Sequence, residues 1–144
     1  VNILYGSAEG LSTAGDQFIS QNTAGVRGGS EAGDAFGSFV EIVNSSSDEP
    51  PSLVITAPNE SIGSVTFSGA IHILPTEVVD GTLEVSTEDD VMLHLGQNPF
   101  ASAYYKDALL GTAVVPIGGV LHVGAPGYAI NLESEAGAIF AITE

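Results

Sequence analysis

Four runs near the end of the chain decide the fold: Val91–Leu95 (VMLHL), Val114–Gly124 (VVPIGGVLHVG), Tyr128–Leu132 (YAINL) and Ala138–Glu144 (AIFAITE). Each is rich in Val, Ile and other apolar residues, and each is bounded by Gly, Pro or Ser. Short apolar runs closed by turn residues are the signature of β-strands joined by tight connections. Val91–Glu144 therefore reads as half of a β-sandwich core.

Working back from this stretch, the same pattern continues upstream. Phe39–Val43, Ser52–Thr56, Ser64–Phe67 and Ala70–Leu74 are strand-like, the last of them ending at Pro75. Glu77–Val79 and Thr82–Val85 flank Asp80-Gly81, a pair that adopts positive φ cheaply, so they read as a hairpin. Asn44–Pro51 (NSSSDEPP) is a polar loop in which Pro50 and Pro51 bar continuation of sheet or helix. Asn98–Leu110 is the one place for a helix, with Asn98 as cap, Pro99 at its first position, and Phe100, Tyr104 and Ala108 on one face. A loop leading into the next strand is the competing reading there. The fold class expected is all-β: an antiparallel, jelly-roll-like β-sandwich of about ten short strands.

Residues 1–37 differ in composition and read as an extended, Gly-rich N-terminal arm ahead of a sandwich domain at 38–144. Glycine weakens both helix and strand, so this segment is not expected to build a core of its own. Its apolar residues Ile3, Leu4, Tyr5, Phe18 and Ile19 would anchor it on a neighbouring subunit. The chain opens on Val1 rather than Met, which is read as processing of a preceding Met, tag or leader.

Charge excludes more functions than any motif suggests. Eighteen acids face only Arg27 and Lys106, a formal net charge of −16. Nucleic-acid affinity comes mainly from Lys and Arg neutralising phosphates, so this chain would be repelled. Anionic membranes are disfavoured on the same ground, and no run reaches the ~20 apolar residues of a membrane span. Self-repulsion at this charge is only partly relieved over a Debye length of about 8 Å at physiological ionic strength. Acid-rich, Lys-poor composition fits a halophilic setting. An acidic exported or viral protein from an ordinary source is the alternative. Cysteine is absent, which removes disulfides, thiolate metal sites and Cys nucleophiles.

Candidate sites are sparse. Asp80, Glu88, Asp89 and Asp90, with Glu84 nearby, supply the hard oxygen ligands of a Ca²⁺ site, although the spacing is not that of an EF-hand and a solvated acidic turn is the ordinary reading. His72, His94 and His122 each sit between aliphatic residues on a strand, so period two puts each ring on the face opposite those neighbours. Three strands in register would give a zinc site. Half-exposed outer-face histidines, or a pH-sensitive subunit interface, are the alternatives. Phe100, Tyr104 and Tyr105 form a candidate contact platform. Asn44-Ser45-Ser46 and Asn59-Glu60-Ser61 match the N-glycosylation pattern. The chain lacks a nucleophile elbow, a P-loop, a dinucleotide fingerprint and an H-E-x-x-H pair, so no enzyme is expected.

The run from Asp90, DDVMLHLGQNPFASA followed by VVPIGGVLHVGAPGYAINLESEAGAIFAITE, resembles the end of small β-sandwich virion proteins of tailed phages or haloarchaeal tailed viruses. That pattern is a strand ending in Gly, a Pro-Phe/Ala segment, a turn, a short strand, a Gly turn and a closing hairpin. The resemblance covers Asp90–Glu144 and implies a capsid decoration, cement or head-fibre subunit at the virion surface. It would bind a major capsid protein or identical subunits as a homo-oligomer, with a trimer plausible. The Gly-rich leader departs from the pattern. An extracellular filament subunit assembled by donor-strand exchange and a carbohydrate- or receptor-binding module are the competing readings.

Overall fold

The structure, a computed structural model, describes residues 1–44, 49–97, 100, 105–131 and 133–143. Ten strands and no helix are present among these residues: β1 (Asn2–Ser7), β2 (Gly10–Phe18), β3 (Val40–Val43), β4 (Ser52–Ala57), β5 (Ala70–Val79), β6 (Thr82–Val85), β7 (Val91–His94), β8 (Ala113–Ile117), β9 (Val120–Ala125) and β10 (Ala138–Ile142). All pairings are antiparallel. The chain is thus all-β and sandwich-like, as its strand and turn chemistry predicts.

The central sheet runs β3-β4-β5-β6, with β7 also paired to β5. A second sheet, β10-β9-β8, packs on one of its faces. Between them lies the main core, in which Val54, Ile71 and Leu93 of the central sheet meet Val114, Leu121, Val123 and Ile142 of the other. Phe100, Leu110 and Ala108 close one end of it. Alternation along the strands makes this possible, since every second side chain faces the partner sheet.

The opposite face of the central sheet is buried too. Leu53, Ile55, Leu74 and Val85 pack there against Ile19 and Val26, with Val1, Ile3 and Phe36 at the margin. Residues 1–37 therefore supply a third layer. Asn2–Phe18 is a β-hairpin, not an extended arm, and Ile19 is 1% exposed. Double coverage explains why β4 is buried along nearly its whole length instead of alternating.

Polar contacts hold the layer in place. The side-chain amide of Gln17 donates to the Val85 carbonyl at 2.9 Å and accepts from the Val85 amide at 3.0 Å, in the manner of a strand partner. The Thr87 hydroxyl donates to the Ala24 carbonyl at 2.8 Å. The N-terminal ammonium donates to the Ile19 carbonyl at 2.8 Å.

Several local expectations change. Ser64–Phe67 is no strand: Ile62 and Val65 form an isolated bridge, and Phe67 takes a φ of 52°. Tyr128–Leu132 likewise gives only the bridge Ile130 to Glu133 around Asn131, at φ 51°, with Leu132 outside the described residues. Pro75 does not end its strand, because it stands where β5 leaves β4 and begins pairing with β6. Its carbonyl still accepts from Ser86, and its missing N–H costs no ladder bond at such a junction. The Asp80-Gly81 turn forms as expected, with φ of 49° and 83°. Within Asn98–Leu110, residues 98–99 and 101–104 lie outside the described residues, and 105–110 are turns and irregular backbone.

Candidate interface and the polar cluster beneath the N-terminal layer

Loop 20–37 crosses the central sheet above a buried set of polar side chains. His72 on β5 and Asp90, just before β7, are both fully buried, with His72 Nδ1 2.9 Å from Asp90 Oδ2. A carboxylate only accepts, so this bond places the proton on Nδ1. The backbone amide of Arg27 donates to the same Oδ2 at 2.8 Å. Phe36 covers His72 edge-on, its centroid 5.3 Å from the imidazole. Asp90 Oδ1 and His72 Nε2 have no hydrogen-bond partner among the described residues.

Glu60 lies in the same layer, 4% exposed, and accepts from Gln21 Nε2 at 2.6 Å. Burial pushes its pKa above the ordinary glutamate value. The Gln21 bond opposes that rise, Asp34 and Glu31 add to it, and His72 opposes it. Glycine at 28 is what lets the loop settle here. A Cβ there would stand 3.3 Å from Glu60 Oε1, and the φ of 76° is one that side chains rarely adopt.

These contacts account for the sequence candidates in this region. Asp90 is a structural acceptor inside the fold, while Glu88 and Asp89 are exposed and Asp80 occupies the hairpin tip. Among the described residues no cluster of three or more His, Asp or Glu could hold a metal. His72 and His94 share a face of the central sheet, offset so that His72 pairs with Met92 and His94 with Ala70. His122 belongs to the other sheet. His72 was expected on an open face, and the N-terminal layer buries it. His94 Nδ1 donates to the Leu95 carbonyl at 2.8 Å.

The exposed apolar side chains mark the candidate interfaces. Leu4 and Phe18 of the hairpin are open, Phe18 at 68%, and Leu11 joins them. Beside them Val40 and Ile42 project from the edge strand β3. A groove of about 220 Å³ between hairpin and sheet is lined by Ile3, Leu4, Tyr5, Ile42, Leu53 and Leu83. Tyr5 donates its hydroxyl to Gln17 Oε1, and partial burial raises its pKa. Ile19 and Phe100 were expected at an interface and are instead core residues, the latter edge-on to Phe140 at 5.2 Å. Tyr105 packs against Tyr128 at 4.5 Å. Tyr104 lies outside the described residues.

The architecture defines a class, an acidic all-β sandwich with an N-terminal hairpin as third layer. Comparison with known protein families, curated proteins and solved structures finds no match to the chain.

Proposed function

We propose that the chain is a non-enzymatic structural virion protein, a capsid decoration or cement subunit that binds and stabilises a capsid lattice at the virion surface. The observation that carries this reading is the placement of open apolar strand surface. Leu4 of the hairpin and Val40 and Ile42 of β3, all exposed, line a groove between the two elements, and Leu11 and Phe18 add exposed apolar side chains on the same hairpin. An edge strand with an adjoining apolar groove suits β-augmentation by an extended segment of a lattice protein. The ionisable residues that do converge, His72, Asp90 and Glu60, are sealed under loop 20–37 and serve to fasten it. The high negative charge suits an outer-surface protein that keeps particles apart, in a saline setting or otherwise.

The filament reading loses its motivation, because β1 is already paired with β2 within the chain. The carbohydrate-platform reading loses Phe100 to the core. Imaging native particles with an antibody against the chain tests the proposal. Label at regular positions on a closed shell is the expected result; label along fibres, or on free oligomers alone, would overturn it.

A further inference from the structure

The outer face of the β8–β10 sheet stands apart from the rest of the surface. Alternation and register lay out its outward positions as rows: Ala113, Gly124 and Ile139; Val115, His122 and Ala141; Ile117 and Val120. Ile139 is 77% exposed, Ile117 60% and Val115 50%. His122 is the single polar side chain among them. No charged residue occurs between Asp107 and Glu133 or within Ala138–Ile142, in a chain of net charge −16. Gly124 leaves a hollow between Ala113 and Ile139, walled by Thr112, Pro126 and Gly137.

We infer that this face is a homo-oligomer interface, on which a second copy of the chain packs by two-fold symmetry, with Ile139 of each copy filling the Gly124 hollow of the other. This deepens the structural-subunit reading above and rests on it. Charge selects the occupant. Two strongly acidic molecules repel wherever carboxylates meet, and this acid-free face lets like-charged copies approach closely. A basic partner would find its complement on the acidic surfaces instead, and an anionic membrane would be repelled by the molecule as a whole.

Shape supports a second copy as well. A protruding Ile beside a Gly hollow is self-complementary under a two-fold, the requirement of an isologous contact. Pro116 blunts the edge of β8, so association runs through the face and not along that edge. Val115, Ile117 and Ile139 cluster on one uncharged face, where apolar residues scattered singly over a surface would need no partner.

Sedimentation equilibrium of the full chain in about 1 M salt, where screening acts within about 3 Å, tests this. The wild type should dimerise, and Ile139→Glu should raise the dissociation constant at least tenfold. Leu11→Glu, on the hairpin, should leave it unchanged. Because the chain has no cysteine, Ile139→Cys should oxidise to a covalent dimer while Leu11→Cys does not, a readout that does not require the charged variant to fold. A strictly monomeric wild type, or dissociation by Leu11→Glu in place of Ile139→Glu, would overturn the inference. Particles that carry the chain on a shell although it is monomeric in solution would sink this inference alone. A dimer disrupted by Ile139→Glu but never found on a shell would instead sink the virion reading.

Discussion

At the scale of single residues, the side chains that fasten loop 20–37 are Asp90 and Glu60, which accept, and Thr87, which donates; the two acceptors are acids held out of water. Breaking a buried hydrogen-bonded pair from one side leaves the other partner stranded, at a cost of about 3 kcal/mol. Asp90→Ala should therefore lower stability by about that amount, since it orphans His72 Nδ1 and the Arg27 amide together. Denaturant midpoints at constant m-value would measure it, and a loss below ~1 kcal/mol would mean the cluster does not hold the loop. Glu60 makes a prediction of opposite sense. Its folded-state pKa is raised, so the folded protein holds that proton more tightly than the unfolded chain does. The resulting stabilisation is complete below the ordinary glutamate value and is lost as pH rises through the raised folded value. Glu60→Gln keeps an acceptor for Gln21 and removes the ionisation, so it should raise the melting temperature at neutral pH and flatten its fall between acidic and neutral pH. An unchanged pH profile in thermal melts would rule this out.

At the scale of elements, the segment most altered by folding is 1–37. Its Gly content and scattered apolar residues read as an arm reaching for a neighbour, yet the structure spends Ile19 and Val26 on the chain's own core. Burying side chains of this size contributes about 1.5–3 kcal/mol each, and Leu53, Ile55 and Leu74 lose their cover without them. Removal of residues 1–37 should accordingly leave an aggregating or unfolded product, checked by solubility and near-ultraviolet circular dichroism. A soluble, cooperatively melting truncation would show the layer to be dispensable. Loop joining is equally specific. Gly69, at φ 83°, lets loop 58–69 meet Leu110, whose carbonyl oxygen would lie 2.3 Å from any Cβ there. Gly69→Ala should cost at least about 3 kcal/mol, because positive φ and a backbone clash act together. Equilibrium unfolding would check the figure.

For the whole molecule, the decisive quantity is the net charge of −16, with Arg27 and Lys106 as the only lysine or arginine side chains to offset eighteen acids. Self-repulsion falls as the Debye length shrinks from about 10 Å at 0.1 M salt to about 3 Å at 1 M. The thermal midpoint should rise steadily over that range, and a flat or falling midpoint would remove the case for a saline habitat. Screening also favours association through the uncharged β8–β10 face, so melting temperature should come to depend on protein concentration at high salt.

By itself the sequence determined what local chemistry determines. The all-β class followed from alternation and turn residues, and Asp80-Gly81 named its hairpin because positive φ is a property of those residues alone. The acid-free stretch after Asp107 and the charge balance were also written there. Ser64–Phe67 and Tyr128–Leu132 misled because short apolar runs look the same in a strand and in a packed turn. Telling them apart takes a partner, and each found only a bridge within its own loop. Only the tertiary structure decided that the central sheet is covered on both faces. Period two assigns a side chain to a face without saying what lies over that face. Coverage by residues 1–37 turned His72 and Asp90 from surface candidates into a buried clasp, and it left the hairpin, β3 and the outer β8–β10 face as the surfaces open to partners.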